Sequence, residues 1–205
     1  AMLNIPFVCC SYSNRYGTLI EGEYSSVSIA DGDTAQQAVE ELYRHGHRRI
    51  AALISRPNDQ SISQLRYEGY VQALESHGIP VDPELVISTG GFGAKDAYRA
   101  VQEKMAENVD FTALFAIADS MAIGAMRALM DAGRRIPEDC SVIAIDGLEL
   151  SAYIEPPLTT LCQPMEEMGR RSAEILLDMV RHKGSHACEL LPTTLRQGRS
   201  VAAPR

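Results

Sequence analysis

The chain has 205 residues, of which 45% are hydrophobic and 22% charged, and its formal net charge is −8. This composition is typical of a globular protein and excludes extended disorder, and no apolar run reaches the roughly 18 to 20 residues of a membrane-spanning helix. The negative charge disfavours contact with phosphate backbones. The basic cluster at 45–49 is predicted to end a helix, where basic side chains are favoured, so the chain is not expected to bind DNA by itself.

Apolar segments that predict strands alternate with amphipathic segments that predict helices along the whole chain. This alternation predicts an α/β protein with a doubly wound parallel sheet, and it leaves the order of the strands open. Residues 11–24 are polar and predict a loop. We predict strands over 5–10, 26–29, 49–55, 85–88, 112–118, 141–145, 158–161 and 189–196, and helices from a cap at Asp33 or Thr34 to Gly46, over 61–76 and 95–107, from Asp119 to Gly133, and over 165–181.

The cysteines form neither a C-x-x-C motif nor a cluster with histidine, and their number is odd. Most of them lie in or beside apolar, strand-like runs, where a free cysteine behaves as a small hydrophobic residue. This pattern disfavours a disulfide framework or a zinc site and favours a reducing, cytoplasmic compartment. We therefore predict no metal and no cofactor. The five cysteines are Cys9, Cys10, Cys140, Cys162 and Cys188.

Asp146 is the first candidate site residue, because it follows an apolar run over 141–145 that predicts a strand buried on both faces. Open α/β sheets bind ligands at the carboxyl ends of their strands. A carboxylate at that place can accept two hydroxyl hydrogen bonds, as a sugar or a ribose requires, whereas the alternative role is a helix cap or a loop anchor. Gly147 follows and begins a polar segment. Pro156 and Pro157, at the end of this segment, require an extended backbone.

Arg66 and Phe92 are two further candidates for contact with a ligand. Arg66 lies on an otherwise apolar helix face, and its planar guanidinium can pair with a carboxylate, a phosphate or adjacent hydroxyls. An internal salt bridge is the alternative, and an Arg66–Asp146 pair would satisfy both roles. Phe92 lies in a glycine-flanked loop, where its ring can stack on a sugar or a base or can instead fill the core.

Several motifs, in this order, resemble the effector-binding core of the LacI/GalR family of transcriptional regulators. They are H-G-H-R-R-I-A-A-L at 45–53, R-x-x-G-Y-x-x-A-L at 66–74, A-D-S-M-A-I-G-A-M-R-A-L at 118–129, P-P-L-T-T-L at 156–161 and Q-G-R-S at 197–200. The strand that ends at Asp146 is similar to the family's S-V-x-G-x-D strand. Ala144 stands there in place of the usual Gly, Gly147 in place of a frequent second Asp, and Ala118 in place of an Asn that would supply an amide donor.

The resemblance implies a fold like that of type I periplasmic binding proteins, with two subdomains and an effector in the cleft between them. It implies that residues 1–27 are the remnant of an incomplete N-terminal subdomain, that 28–160 form the C-terminal effector-binding subdomain, and that 161–205 return to the N-terminal one. It also implies that a helix-turn-helix domain, a hinge and several βα units are missing ahead of the chain.

The same resemblance assigns roles to individual residues. Arg66, Phe92 and Asp146 would contact the effector, as would Gln163 after the crossing strand. Ser63, Ile29 and Asp31 would face the cleft, although capping or packing explains these three equally well. Asp119 is predicted to be a helix cap. The resemblance places a dimer interface at Met121, Ile123, Met126 and Tyr153.

The leading hypothesis is therefore the effector-sensing core of a bacterial LacI-type regulator, acting as a cytoplasmic homodimer. It would bind a sugar, polyol or nucleoside-like effector and control DNA binding by a domain outside this chain, without contact with a membrane. The alternative is a periplasmic or receptor-linked sugar-binding protein of the same fold. An enzyme is not expected, because the sequence has no nucleophile elbow, metal-ligand spacing or complete dinucleotide motif, and Cys9 and Cys10 lie in an apolar strand, where thiols are usually inert.

Overall fold

The computed structural model describes residues 5–11, 24–56, 62–182 and 186–205. The predicted alternation of strands and helices is confirmed in these residues, whereas most of the predicted loop over 11–24 lies outside them. None of the described helices is both long enough and apolar enough to cross a membrane.

Short 3-10 helices occupy Pro83–Leu85 and Glu149–Ala152. The regular elements are β1 (Val8–Cys10), β2 (Ser25–Ser28), α1 (Asp31–Arg44), β3 (Ile50–Ile54), α2 (Ile62–Ser76), β4 (Val86–Ser88), α3 (Ala94–Ala106), β5 (Ala113–Ala116), α4 (Asp119–Asp131), β6 (Ser141–Asp146), β7 (Thr159–Cys162), α5 (Met165–His182), β8 (Cys188–Leu190) and β9 (Thr194–Arg196).

Contacts within the chain divide it into a smaller unit, residues 1–30 and 163–193, and a larger unit, residues 31–162 and 194–205. The predicted division differs at the C-terminal side, because residues 194–205 lie with the larger unit. The prediction of one final strand over 189–196 is wrong: β8 pairs with β2 in the smaller unit, and β9 pairs antiparallel with β7 in the larger. Pro192 lies between β8 and β9, and proline has no N–H with which to continue a sheet.

The larger unit is built on a six-stranded sheet in the order β4-β3-β5-β6-β7-β9. All its strand pairs are parallel except β7 with β9. Every residue of β3 and β5 is buried, as expected for strands that have helices on both faces. α1 packs against α2, and α3 packs against α4, and each pair also contacts the sheet. This arrangement confirms the predicted doubly wound parallel sheet.

The smaller unit consists, in its described part, of a three-stranded sheet and one helix. The strands follow the order β1-β2-β8 and are all parallel. α5 packs on β1 and β2, with Met168 and Ile175 buried, and the Ser25 hydroxyl donates to Met179 Sδ (3.4 Å). Leu176, Leu177 and Val180 are exposed, so α5 is amphipathic, as its sequence pattern predicts.

Two glycines allow the helices of the larger unit to approach closely. A Cβ atom on Gly69 of α2 would lie 2.1 Å from the main-chain oxygen of Gly32 in α1, and one on Gly124 of α4 would lie 2.0 Å from that of Ala94 in α3. Both distances are far shorter than non-bonded atoms can approach, so a larger residue at either position would force the helices apart.

The segment after β9 is held against the sheet by hydrogen bonds from a buried histidine and a buried serine. His47 Nε2 donates to the main-chain oxygen of Ala202 (2.8 Å), and Nδ1 lies 2.9 Å from the Thr112 hydroxyl, which donates to it in this tautomer. The Ser200 hydroxyl donates to the Val142 oxygen (2.6 Å) and accepts from the Thr159 N–H (2.9 Å). The segment is therefore an integral part of the larger unit.

We expect the protein to become less stable as the pH is lowered, because of His47. Burial lowers the pKa of His47 from its usual value of 6.5, so the unfolded chain binds a proton at a higher pH than the folded chain does. The free energy of unfolding should therefore decline as the pH falls below about 6.5 and through the lowered folded-state pKa. Denaturant titrations at pH 7.5 and 5.5 should show a smaller decline for His47→Asn than for the wild-type protein. Equal declines would contradict this assignment.

Candidate functional site

The carboxyl ends of β3, β5 and β6 lie at one edge of the larger unit's sheet. The chain passes from β3 to β4 on one side of β3 and then continues to β5 and β6 on its other side, so the strand order reverses between β3 and β5. Open α/β sheets bind ligands at such a reversal, outside the carboxyl ends of the strands. The segments that follow β3, β5 and β6 are therefore the parts of this unit best placed to meet a ligand.

The Arg66 guanidinium lies at this reversal and connects three parts of the unit. Its Nε donates to Asp31 Oδ1 (2.8 Å), and its Nη1 donates to Asp146 Oδ1 (3.2 Å) and to the main-chain oxygen of Ile117, just beyond β5. The side chains of Arg66 and Asp31 are almost fully buried, whereas that of Asp146 is 18% exposed. The ion pair that the sequence suggested between Arg66 and Asp146 is therefore present, and Asp31 joins it.

Asp31 occupies the first residue of α1, ahead of the caps predicted at Asp33 or Thr34. Burial raises the pKa of Asp31, and the adjacent Arg66 guanidinium opposes this rise. Two opposite charges in a buried pair depend on each other, because removal of one leaves the other without a counter-charge away from water. The side chain of Asp31 thus anchors α1 to α2 through Arg66.

Asp146 ends β6 with a φ angle of 135°, which is unusual for a residue other than glycine. Such backbone strain persists only where the surroundings impose it, and it is frequent at binding sites. The next residue, Gly147, has φ of 79°, and a Cβ atom there would lie 2.5 Å from Cys162 Sγ in β7. Gly147 is thus required by the close approach of β7, which explains why no second Asp follows Asp146 in this chain.

Asp119 is a fully buried carboxylate at the first residue of α4. It accepts hydrogen bonds from the Thr160 hydroxyl (2.6 Å), the Ser151 hydroxyl (2.7 Å) and the Leu148 N–H (2.8 Å). Burial raises the pKa of Asp119, and these three hydrogen bonds oppose the rise. Asp119 therefore ties the segment that follows Asp146 to β7 and to α4.

Arg196 of β9 also binds this segment. Its guanidinium donates to the main-chain oxygens of Gly147 and Leu148 and to the Ser151 hydroxyl, and it lies 3.9 Å from Asp119. Residues 147–151 are thus bound by both a buried carboxylate and a guanidinium, and they in turn fix the backbone next to Asp146.

The prediction that Asp119 is a helix cap is wrong, because Ala118 occupies the cap position and no side-chain hydrogen bond caps α4 there. Sequence reasoning also did not single out Arg196. For Asp119, one available signal was Thr160 in an apolar, buried strand, since a buried hydroxyl requires a hydrogen-bond partner from elsewhere in the chain.

Phe92 lies in the loop between β4 and α3, and its side chain is 41% exposed. The Ser120 hydroxyl donates to the main-chain oxygen of Phe92 (2.7 Å), which attaches this loop to the first turn of α4. The ring is thus exposed on a loop attached to α4, and its stacking on a ligand remains a prediction.

The other predicted effector residues have different surroundings. Ser63 is buried, and its hydroxyl accepts the Ser55 N–H (3.2 Å), so it supports the connection from β3 to α2. Ile29 is buried beyond β2 in the smaller unit. Gln163 also belongs to the smaller unit, where its main-chain oxygen accepts the Met165 N–H (2.9 Å) before α5. Contact of these three residues with an effector remains a prediction.

Two of the four predicted dimer-interface residues are unavailable to a partner. Met121 and Met126 are 0% and 1% exposed in the core of the larger unit, so their assignment to an interface is wrong. Ile123 is half-buried, and Tyr153 is 78% exposed beside the exposed Leu150. An interface at Ile123 and Tyr153 remains a prediction.

Within the described part of the chain, no group of three or more His, Cys, Asp or Glu side chains is arranged to hold a metal ion. All five cysteines are free thiols.

Comparison with known families shows a match to the periplasmic binding protein-like domain over residues 39–201. The HTH-type transcriptional repressor CytR of Escherichia coli K12 is 38% identical over 177 residues, which are 83% of this chain and 51% of that protein. The HTH-type transcriptional regulator CelR of Thermobifida fusca is 34% identical over 190 residues, 93% of this chain and 54% of that protein. The chain thus spans about half the length of these relatives.

Solved structures of such regulators have the same fold. The transcriptional regulator CelR in complex with cellobiose superposes with a TM-score of 0.83 at 34% identity, covering 91% of this chain and 57% of that one. A LacI family transcriptional regulator from Enterococcus faecium with bound ribose superposes with a TM-score of 0.80 at 32% identity, covering 90% of this chain and 68% of that one.

Proposed function

Because this chain belongs to the periplasmic binding protein-like family, within the LacI-type transcriptional regulators, we propose that it is the effector-sensing part of a bacterial transcription factor. The effector is a small polar molecule rich in hydroxyls, such as a sugar, a polyol or a nucleoside. Its binding controls the attachment to DNA of a helix-turn-helix domain elsewhere in the protein.

The observation that carries this proposal is the position of the Arg66–Asp146 pair at the reversal of strand order. The pair presents a partly exposed carboxylate oxygen to accept hydroxyl hydrogen bonds, next to a guanidinium that holds it in place. The ring of Phe92 adds an apolar surface on which a sugar or a base can stack. The names of the relatives, which are transcriptional regulators, favour this function over a periplasmic or receptor-linked transport protein.

Transmission to DNA follows from differential binding. A ligand that binds one arrangement of the two halves of the sensor better than another shifts the population toward that arrangement. In a homodimer, for which exposed Tyr153 and Leu150 supply apolar area, this shift changes the spacing of the DNA-binding domains, and the two sites are then coupled reciprocally. The free thiols support a cytoplasmic location.

We expect Asp146→Asn to weaken effector binding by about tenfold or more, because a hydrogen bond to a charged acceptor is worth about 1.5 to 3 kcal/mol. The measurement is a thermal-shift screen of the full-length protein against sugars, polyols and nucleosides. A ligand at about 100 times its dissociation constant stabilises the wild-type protein by roughly 2.7 kcal/mol, which is readily detected.

The matched control is Asp110→Asn, which removes the same charge from an exposed side chain at the opposite, amino-terminal edge of the sheet. It should leave the ligand response unchanged. A ligand whose effect is equal in the wild-type protein and in Asp146→Asn binds elsewhere, and that result would refute the proposed site.

A further inference from the structure

The charge on Arg66 is matched inside the protein before any ligand arrives. Asp31 Oδ1 lies 2.8 Å from Arg66 Nε, and the two side chains are 4% and 3% exposed. At this distance and burial, the two opposite charges form a close pair that water does not separate. The positive charge of Arg66 is therefore directed into the protein, toward Asp31.

The Nε and Nη1 donors of Arg66 are also committed to protein acceptors. Nε donates to Asp31, and Nη1 donates to the main-chain oxygen of Ile117 and to Asp146. A phosphate or carboxylate binds arginine best through two parallel N–H donors. The two parallel donor pairs of a guanidinium are Nε with Nη2 and Nη1 with Nη2, and each includes an atom that already binds a carboxylate here. An anionic ligand would therefore have to displace Asp31 or Asp146 and leave that carboxylate without its counter-charge, which is unfavourable.

Resting on the proposed function, we infer that Asp31 determines ligand specificity: it keeps Arg66 from serving as an anion-binding group, so the site accepts neutral hydroxyl-bearing ligands and rejects phosphorylated or carboxylated ones. Asp31 acts through Arg66 and is thus a positioning residue. The carboxylate of Asp146, which is the partly exposed acid of the cluster, favours the same choice, because it accepts hydrogen bonds from hydroxyls and repels anions.

The test compares neutral ligands with their anionic counterparts in the full-length protein, using ribose with ribose 5-phosphate, glucose with glucose 6-phosphate and cytidine with cytidine monophosphate. We expect each phosphorylated compound to bind the wild-type protein at least about tenfold more weakly than its neutral partner, because the carboxylate of Asp146 repels an anion brought into the site. Asp31→Asn keeps an oxygen that can accept from Arg66 Nε. In this variant, the preference for the neutral compound over its phosphorylated partner should shrink or reverse. Asp33→Asn, an exposed position two residues further along α1, should preserve it.

Inorganic phosphate provides a second probe that does not depend on knowing the effector. We expect phosphate to stabilise Asp31→Asn in a titration in which it leaves the wild-type protein unaffected, and the gain should vanish in Asp31→Asn combined with Arg66→Gln. Phosphate binding to the wild-type protein that is lost in Arg66→Gln alone would overturn the inference. Absence of any sugar, polyol or nucleoside response would instead contradict the proposed function, and the phosphate result would still decide the role of Asp31.

Discussion

Asp119→Ala is expected to lower the free energy of unfolding by about 3 to 5 kcal/mol, because it leaves several buried hydrogen-bond donors without an acceptor at a cost of about 1 to 3 kcal/mol each. The Thr160 hydroxyl, the Ser151 hydroxyl and the Leu148 N–H all donate to this carboxylate. Arg196 would lose its nearby negative charge as well. The measurement is the midpoint of urea denaturation followed by circular dichroism.

The matched control for Asp119→Ala is Asp131→Ala, which removes the same side chain from the last turn of the same helix. Asp131 lies at the surface, where its partners Arg127 and Tyr98 remain in contact with water after its removal, so the denaturation midpoint should stay close to that of the wild-type protein. Equal midpoints for the two variants would show that the buried cluster around Asp119 contributes little to stability.

Gly69→Ala is expected to destabilise the protein by about 3 kcal/mol, at the upper end of the usual cost of overpacking. The added methyl group would lie 2.1 Å from the Gly32 oxygen and 2.9 Å from the Ala35 Cβ, so α1 and α2 must separate. Gly32 follows Asp31, and Arg66 precedes Gly69 by one helical turn on α2. The separation should therefore also lengthen the Asp31–Arg66 contact and weaken ligand binding.

The control for this second prediction is Gly169→Ala in α5. A Cβ atom at Gly169 would meet nothing within 4 Å beyond its chain neighbours and the backbone of its own helix, and alanine is favoured over glycine inside a helix by about 0.5 to 1 kcal/mol. Gly169→Ala should therefore raise the denaturation midpoint. If Gly69→Ala raised it equally, the close approach of α1 and α2 would not constrain this position.

The elements that depend on local sequence signals could be predicted. Gly46, Gly78 and Gly133 have φ angles of 102°, 68° and 81°, as expected of glycines that end helices. Asp146 could be placed at a strand end because the run before it is apolar on both faces of the sheet. These features need only the residues next to them.

The remainder depends on packing between distant residues. Asp31 and Arg66 are 35 positions apart, and only the approach of α1 to α2 brings them together. Asp119 resembled a helix cap because its partners, Ser151 and Thr160, lie more than 30 positions further along the chain. Met121 and Met126 looked available for an interface because periodicity shows which residues share a helix face, whereas tertiary packing decides which face is buried.

The antiparallel pairing of β9 with β7, and the bonds from Ser200 and His47 that follow it, have a consequence for biosynthesis. The larger unit is interrupted in sequence by residues 163–193 of the smaller unit, and the bonds of Ser200 with Val142 and of His47 with Ala202 form only when residues 200–202 are in place. Domains generally fold as units while the chain emerges from the ribosome. The larger unit therefore completes its sheet only after the helix α5 of the smaller unit has been synthesised, and until then β7 is left as an unpaired edge on which a chaperone or another nascent chain can act.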